Sequence, residues 1–136
     1  MFVADLPPDL DVVRKVLIAD GRVLLAIAFG SLAHGTHGPE SDVDLAIDVG
    51  VPLATDVRID LIRKLASATG RPIDLIDLRS TGVPLSRTIL TEGVLLVCDD
   101  PESYVSHVIR MHRDVEDFLP LRNRLLRERL AAWTHS

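Results

Sequence analysis

From Asp42 to Val49 the chain alternates with a period of two: Val43, Leu45, Ile47 and Val49 at odd positions, Asp42, Asp44, Ala46 and Asp48 at even ones. Successive side chains leave a β-strand on opposite faces, so this stretch predicts a strand with one face in a core and the other acidic. The flanking sequence is punctuated in the same spirit. Val23 to Phe29 is a continuous apolar run between Gly21 and Gly30, which predicts a strand buried on both faces. Ile73 to Leu78 and Val94 to Cys98 predict a third and a fourth strand. Between the strands lie helical patterns. Asp9 is placed to cap a helix carrying Leu10, Val13 and Leu17, and Thr55 one carrying Val57, Leu61 and Leu65 that stops at Gly70. That second helix has an Asp60/Lys64 pair one turn apart. Pro84 to Glu92 predicts a helix closed by Gly93, and Asp100-Pro101 a further helix start. The remainder reads as helical, broken near Pro120. Strands and helices that interleave throughout define an α/β (α+β) domain with a layered sheet of about four strands and C-terminal helices.

Length and composition narrow what such a sheet belongs to. With 136 residues, 47% of them hydrophobic, the chain is expected to form one domain, its core over residues 10–98 and a helical segment over 100–133. The longest apolar run is seven residues, against roughly 20 needed to cross a bilayer. The start of the chain is acidic where a secretory signal is basic, so a cytoplasmic location is expected. Cys98 is the single cysteine and reads as a buried thiol. The net charge is −5; residues 1–100 hold nine Lys/Arg against fifteen Asp/Glu, whereas residues 101–136 hold six arginines against five acids. An acidic body with few aromatic rings argues against direct nucleic-acid binding, which needs cationic grooves and stacking platforms. If such a body handles a polyphosphate, metal ions must supply the positive charge.

The string that carries chemistry is Gly30-Ser31, ten residues, then Asp42-Val43-Asp44. Glycine at a strand end lets the backbone approach a ligand, and a serine beside free amides offers donors to phosphate oxygens. Two aspartates at i and i+2 share one strand face, where their charges repel until a cation bridges them. Magnesium suits hard oxygen ligands and binds through one or two carboxylates plus substrate phosphates. A third carboxylate would allow two ions roughly 3.5 to 4 Å apart, clamping the attacking and leaving oxygens of a phosphoryl transfer. Asp74 and Asp77 are both available on the third strand, but their spacing of three puts them on opposite faces, and only one can join.

Gly30-Ser31, the ten-residue gap, Asp42-x-Asp44, the helix that follows, Ile73-Asp74-Leu75-Ile76 and the later Ile89 to Leu96 together resemble the minimal nucleotidyltransferases of the polymerase-beta-like superfamily, over about residues 10 to 98. The resemblance implies a nucleotidyltransferase fold. It further implies Asp42, Asp44 and Asp74 as metal-binding and catalytic carboxylates, Gly30, Ser31 and Ser41 as nucleotide-binding residues, magnesium as cofactor and ATP as substrate. Asp74 is preferred to Asp77 on that match. One departure stands out: relatives commonly carry an arginine before the next glycine, where this chain has His34, and an imidazole neutralises phosphate less than a guanidinium does.

Short chains of this kind are similar to the antitoxin partners of HEPN-domain ribonucleases. That similarity implies transfer of AMP from ATP to a tyrosine of the toxin, within a hetero-oligomer of the two proteins. Arg122, Arg124, Arg127 and Arg129 are candidates for docking the partner, though a solvated helix face explains them equally. Two alternatives stay open: the same chemistry on a small-molecule hydroxyl such as an antibiotic, and a non-catalytic antitoxin that acts by tight binding. Other chemistries fit less well. His34, His37 and the distant Cys98 fall short of the four ligands of a structural zinc site. Ser31 lacks the Gly-x-Ser-x-Gly elbow of a serine hydrolase.

Overall fold

A computed structural model describes residues 6–35, 38, 41–112 and 127–129. The chain alternates α1 (Pro8–Asp20), β1 (Leu25–Phe29), α2 (Gly30–His34), β2 (Val43–Asp48), α3 (Thr55–Thr69), β3 (Ile73–Asp77), α4 (Val83–Glu92), β4 (Val94–Cys98) and α5 (Pro101–His112). The four strands form one mixed sheet in the order β3-β2-β1-β4. β1 runs antiparallel to both β2 and β4, while β2 and β3 are parallel and joined through α3. The open edge of β3 is partly covered, because the Arg58 guanidinium reaches over from α3 to donate to the Leu75 carbonyl.

Both faces of the sheet are covered. Val43, Leu45 and Ile47 of β2, with Ala26 and Ala28 of β1, pack against Leu10, Val13 and Leu17 of α1 and Leu61 and Leu65 of α3. The other face carries Leu25, Ile27 and Ala46 under Ile89 and Leu90 of α4 and Tyr104 and Val108 of α5. The even-numbered face of β2 is therefore buried as well towards its end: Ala46 and Asp48 are 0% and 2% exposed. Alternation reports what water sees only when no second layer covers the polar side. Gly93 lies where α4 meets this layer, and a Cβ there would stand 2.4 Å from both Ile27 Cγ2 and the Ile89 carbonyl oxygen.

Two expected helix caps are absent. Pro7 occupies the cap position of α1 and Ala54 that of α3, neither with a side-chain bond, so Asp9 and Thr55 sit inside the first turn. Asp100 does cap α5, accepting the Glu102 amide at 3.2 Å. The expected Asp60–Lys64 pair forms at 3.4 Å and joins a network with Asp20 and Arg22 that ties the end of α1 to α3. Cys98 is buried, with its thiol pushed up to about 11 by burial and then by Asp100 and Asp99. Residues 127–129 are helical, and the Arg129 guanidinium donates to the carbonyls of Gly93, Leu90 and Thr91 at 2.7, 3.3 and 2.9 Å. That cation caps the end of α4. Pro120, Arg122, Arg124, Trp133 and His37 lie outside the described residues. No described helix is long and apolar enough to cross a membrane.

Candidate active site

Antiparallel pairing of β1 with β2 sets the end of one strand beside the start of the other: Phe29 is the cross-strand partner of Asp44. Parallel pairing of β2 with β3 then sets Asp74 opposite Asp44. Phe29, Asp44 and Asp74 thus lie in a row across three strands at one end of the sheet. Gly30 follows directly on Phe29 with φ +75°, and a Cβ there would stand 2.2 Å from Asp44 Oδ2. Only glycine both adopts that backbone and leaves room for the carboxylate, so Gly30 acts first by making space for Asp44. Ser31 follows on the same turn, half-buried, and His34 ends α2 exposed.

Asp44 is half-buried, whereas Asp42 and Asp74 are exposed at the rim. The Asp44 carboxyl is raised above its ordinary value, first by burial, then by the charges of Asp74 and Asp42, and by a hydrogen bond shared with Asp74. Two carboxyls so close repel each other until a proton or a cation relieves the charge. Among the described residues no Lys or Arg forms an ion pair with Asp42, Asp44 or Asp74. The donor set is hard oxygen and anionic, which fits a divalent cation such as magnesium. The fit is centred on Asp44 and Asp74, since no three acidic, His or Cys side chains among the described residues are drawn together tightly enough to hold an ion.

Asp77, the other candidate on β3, is otherwise engaged. It is 8% exposed and accepts the Leu53 and Arg79 amides, both at 3.0 Å, pinning the turns around the strand. Ser41 serves the loop before Asp42: its Oγ accepts the Gly38 amide at 2.8 Å and its carbonyl accepts from Arg71 Nη1 at 3.1 Å. Arg71 is a residue the sequence reading passes over. Its one available signal is a cation placed directly before Pro72 and the β3 carboxylate.

At the opposite end of the same strands lies a polar network that the sequence also hides. Asp48 accepts from Ser103 Oγ, His107 Nε2 and the Gly50 amide, each at 2.8 Å. The Arg110 guanidinium, which can only donate, lies 3.0 Å from His107 Nδ1, so Nδ1 is the acceptor and the ring proton sits on Nε2, facing Asp48. Burial lowers His107 despite the neighbouring carboxylate, which keeps the ring neutral. Burial alone would raise Asp48, but the bonds from His107, Gly50 and Ser103 outweigh it, and its carboxyl is lowered. A cleft of about 720 Å³ opens beside this network, between Asp48, Asp77, Arg79 and Arg110. Its buried acids are satisfied by protein donors. At the other end Asp44 and Asp74 face each other, and among the described residues no Lys or Arg pairs with either.

A mixed sheet that ends in a glycine turn over adjacent carboxylates fits a scaffold for group transfer from a polyphosphate. The pattern described as polymerase beta, nucleotidyltransferase matches residues 12–102, and the chain belongs to that family. It is 33% identical over 97 residues, 70% of each chain, to the protein adenylyltransferase MntA of Shewanella oneidensis. Its fold matches a solved toxin–antitoxin complex with AMP-PNP at TM-score 0.66 and 26% identity, over 88% of this chain and 96% of that one. It also matches, at TM-score 0.61 and 23% identity over 88% and 94% of the two chains, a structure of tri-AMPylated Shewanella oneidensis HEPN toxin in complex with MNT antitoxin. At that identity the second likeness speaks for the fold alone.

Proposed function

We propose that this chain is a nucleotidyltransferase antitoxin that moves AMP from ATP to a tyrosine hydroxyl of a cognate HEPN ribonuclease toxin. The observation that carries the reading is the register of Asp44 against Asp74 beneath Gly30, with no Lys or Arg among the described residues paired to either. Identity to a protein adenylyltransferase supports the choice of reaction, and the likeness to a toxin–antitoxin complex with an ATP analogue supports donor and partner. The chain acts as a single catalytic domain, in the cytoplasm, as a hetero-oligomer with the toxin.

Asp44 and Asp74, with Asp42 beside them at the rim, would hold magnesium. When bound, the metal neutralises the triphosphate and the departing pyrophosphate. Gly30, Ser31 and Ser41 line the approach of the nucleotide phosphates. A tyrosine hydroxyl, with an ordinary pKa near 10, needs help to attack at neutral pH. Asp74 is exposed at the rim, within reach of a second protein, and takes that proton as the phenolic oxygen bonds to the α-phosphorus. The bond from the α-phosphorus to the bridging oxygen breaks, and pyrophosphate leaves. An acceptor on another protein needs no enclosed acceptor pocket, which suits the open rim.

The test is incubation of the chain with α-labelled ATP, magnesium and the HEPN partner, followed by mass spectrometry of the partner. Label on a partner tyrosine, lost with Asp44→Asn, is the expected result. Label found only on a small-molecule hydroxyl rejects the antitoxin reading. Full neutralisation of the partner by the Asp42→Asn, Asp44→Asn double variant at equal stoichiometry rejects catalysis in favour of tight binding.

A further inference from the structure

The carboxylate least fixed by the sheet is Asp42. It precedes Val43, the first ladder residue of β2, so strand pairing holds it from one side only. Two hydrogen bonds bracket it, and both come from one dipeptide. The Pro72 carbonyl accepts the Val43 amide at 2.9 Å, and Arg71 Nη1 donates to the Ser41 carbonyl at 3.1 Å. The same nitrogen donates to the Gly38 carbonyl at 2.8 Å. Gly38 and Ser41 are bonded to each other in turn, Ser41 N to the Gly38 carbonyl at 3.2 Å and Gly38 N to Ser41 Oγ at 2.8 Å. The guanidinium is aimed by Asp9 of α1, which accepts from Nε at 2.7 Å, and its side chain is 12% exposed.

The geometry points to Arg71 as a positioning residue: its fork fixes the peptide before Asp42 and, from three residues upstream of Asp74, sets one rim carboxylate relative to the other. The inference rests on the proposed metal-dependent transfer and names what completes its ligand set. A planar guanidinium spans Asp9 and two carbonyls at once. A lysine ammonium at the same place cannot reproduce that fork and keeps only part of it. Groups that orient metal ligands from behind typically change metal affinity or activity by about 10- to 100-fold when removed.

The experiment compares Arg71→Met, Arg71→Lys and Asp9→Asn with Arg22→Met, which removes a guanidinium of similar connectivity from the Asp20 and Asp60 network on the far side of α1. Three readouts are taken: Mn²⁺ affinity by electron paramagnetic resonance without nucleotide, amide exchange over residues 38–43, and kcat and KM for AMP transfer. Arg71→Met is expected to weaken Mn²⁺ binding at least about tenfold, speed exchange over residues 38–43 and lower kcat by a similar factor. Arg71→Lys recovers part of each, and Asp9→Asn shifts each in the same direction by less. Arg22→Met lowers the melting temperature but leaves Mn²⁺ affinity within about twofold. Wild-type Mn²⁺ affinity and exchange in Arg71→Met overturn the inference, as does a loss in Arg22→Met that matches it. If Arg71→Met does not fold, Arg71→Lys and Asp9→Asn decide on the same criteria. A wild type that binds Mn²⁺ but transfers no AMP defeats the functional reading alone, and the metal and exchange readouts still judge Arg71. A wild type that binds no Mn²⁺ removes both.

Discussion

β2 and β3 each carry an acid near either end, and the two ends treat them in opposite ways. Asp44 and Asp48 are four residues, about 13 Å of strand, apart. Asp48 is 2% exposed and receives three donors from residues 50, 103 and 107. Asp77 at the same end receives two amides. Asp44 is half-buried and faces Asp74, so its carboxyl is raised where that of Asp48 is lowered. An acid whose lone pairs are met by the chain holds the fold together. An acid set against another acid weakens the fold slightly and keeps its affinity for a cation from solution.

The sharpest break is Asp44→Asn. AMP transfer to the partner should fall by about a thousandfold or more, roughly 4 kcal/mol of transition-state stabilisation, while the urea midpoint stays level or rises because a repelling charge is gone. Asp48→Ala should do the reverse. It leaves His107, Ser103 and the Gly50 amide without their acceptor, at about 3 kcal/mol of stability and roughly a 10 °C lower melting temperature. Transfer per folded molecule should be unchanged; a thousandfold loss there at equal folded fraction would erase the distinction between the ends. Third comes metal itself. At a magnesium concentration ten times its dissociation constant, wild type should gain about 1.4 kcal/mol in denaturant titration and Asp44→Asn nothing. Equal gains in both proteins would place the ion elsewhere.

Much of this contrast could be read from the chain, and the unread part has a common cause. Val43, Leu45 and Ile47 announce the face that packs on α1 and α3, and all three are fully buried. The glycine turn and the Asp42-x-Asp44 spacing announce the near end, because strand periodicity and close backbone approach are local properties. The choice between Asp74 and Asp77 is not local. It depends on the register of β3 against β2 and on donors at Leu53 and Arg79. Asp48 likewise looks like one more solvated acid until Ser103 and His107 arrive from 55 and 59 residues away. Asp9 fails as a cap for the same reason, being bonded to Arg71 62 residues on. Polar groups announce their residue type in the sequence, but only the tertiary fold assigns their partners.

Acid titration of the metal-free protein gives the smallest effect and tests both ends at once. His107 is lowered below its ordinary 6.5, mainly by burial, with Arg110 and Arg79 adding to it and Asp48 opposing. The unfolded chain therefore binds the extra proton first, so stability from a neutral His107 is complete above 6.5 and is lost as pH falls towards the folded value. Asp44 runs the other way. Its folded carboxyl is raised above the ordinary 3.8, so the folded protein binds the proton first. Its contribution is present below 3.8 and is lost as pH rises through the folded value. Asp48 is lowered, so its contribution holds above 3.8 and disappears only below it. Urea midpoints measured in chelator from pH 7 to pH 4 should fall first through His107 and then be offset by Asp44. His107→Gln should flatten the first part and Asp44→Asn should remove the offset. Magnesium should remove the offset as well, because a bound cation keeps Asp44 ionised in the folded state. An offset that persists in Asp44→Asn would mean that a group other than Asp44 takes up the proton.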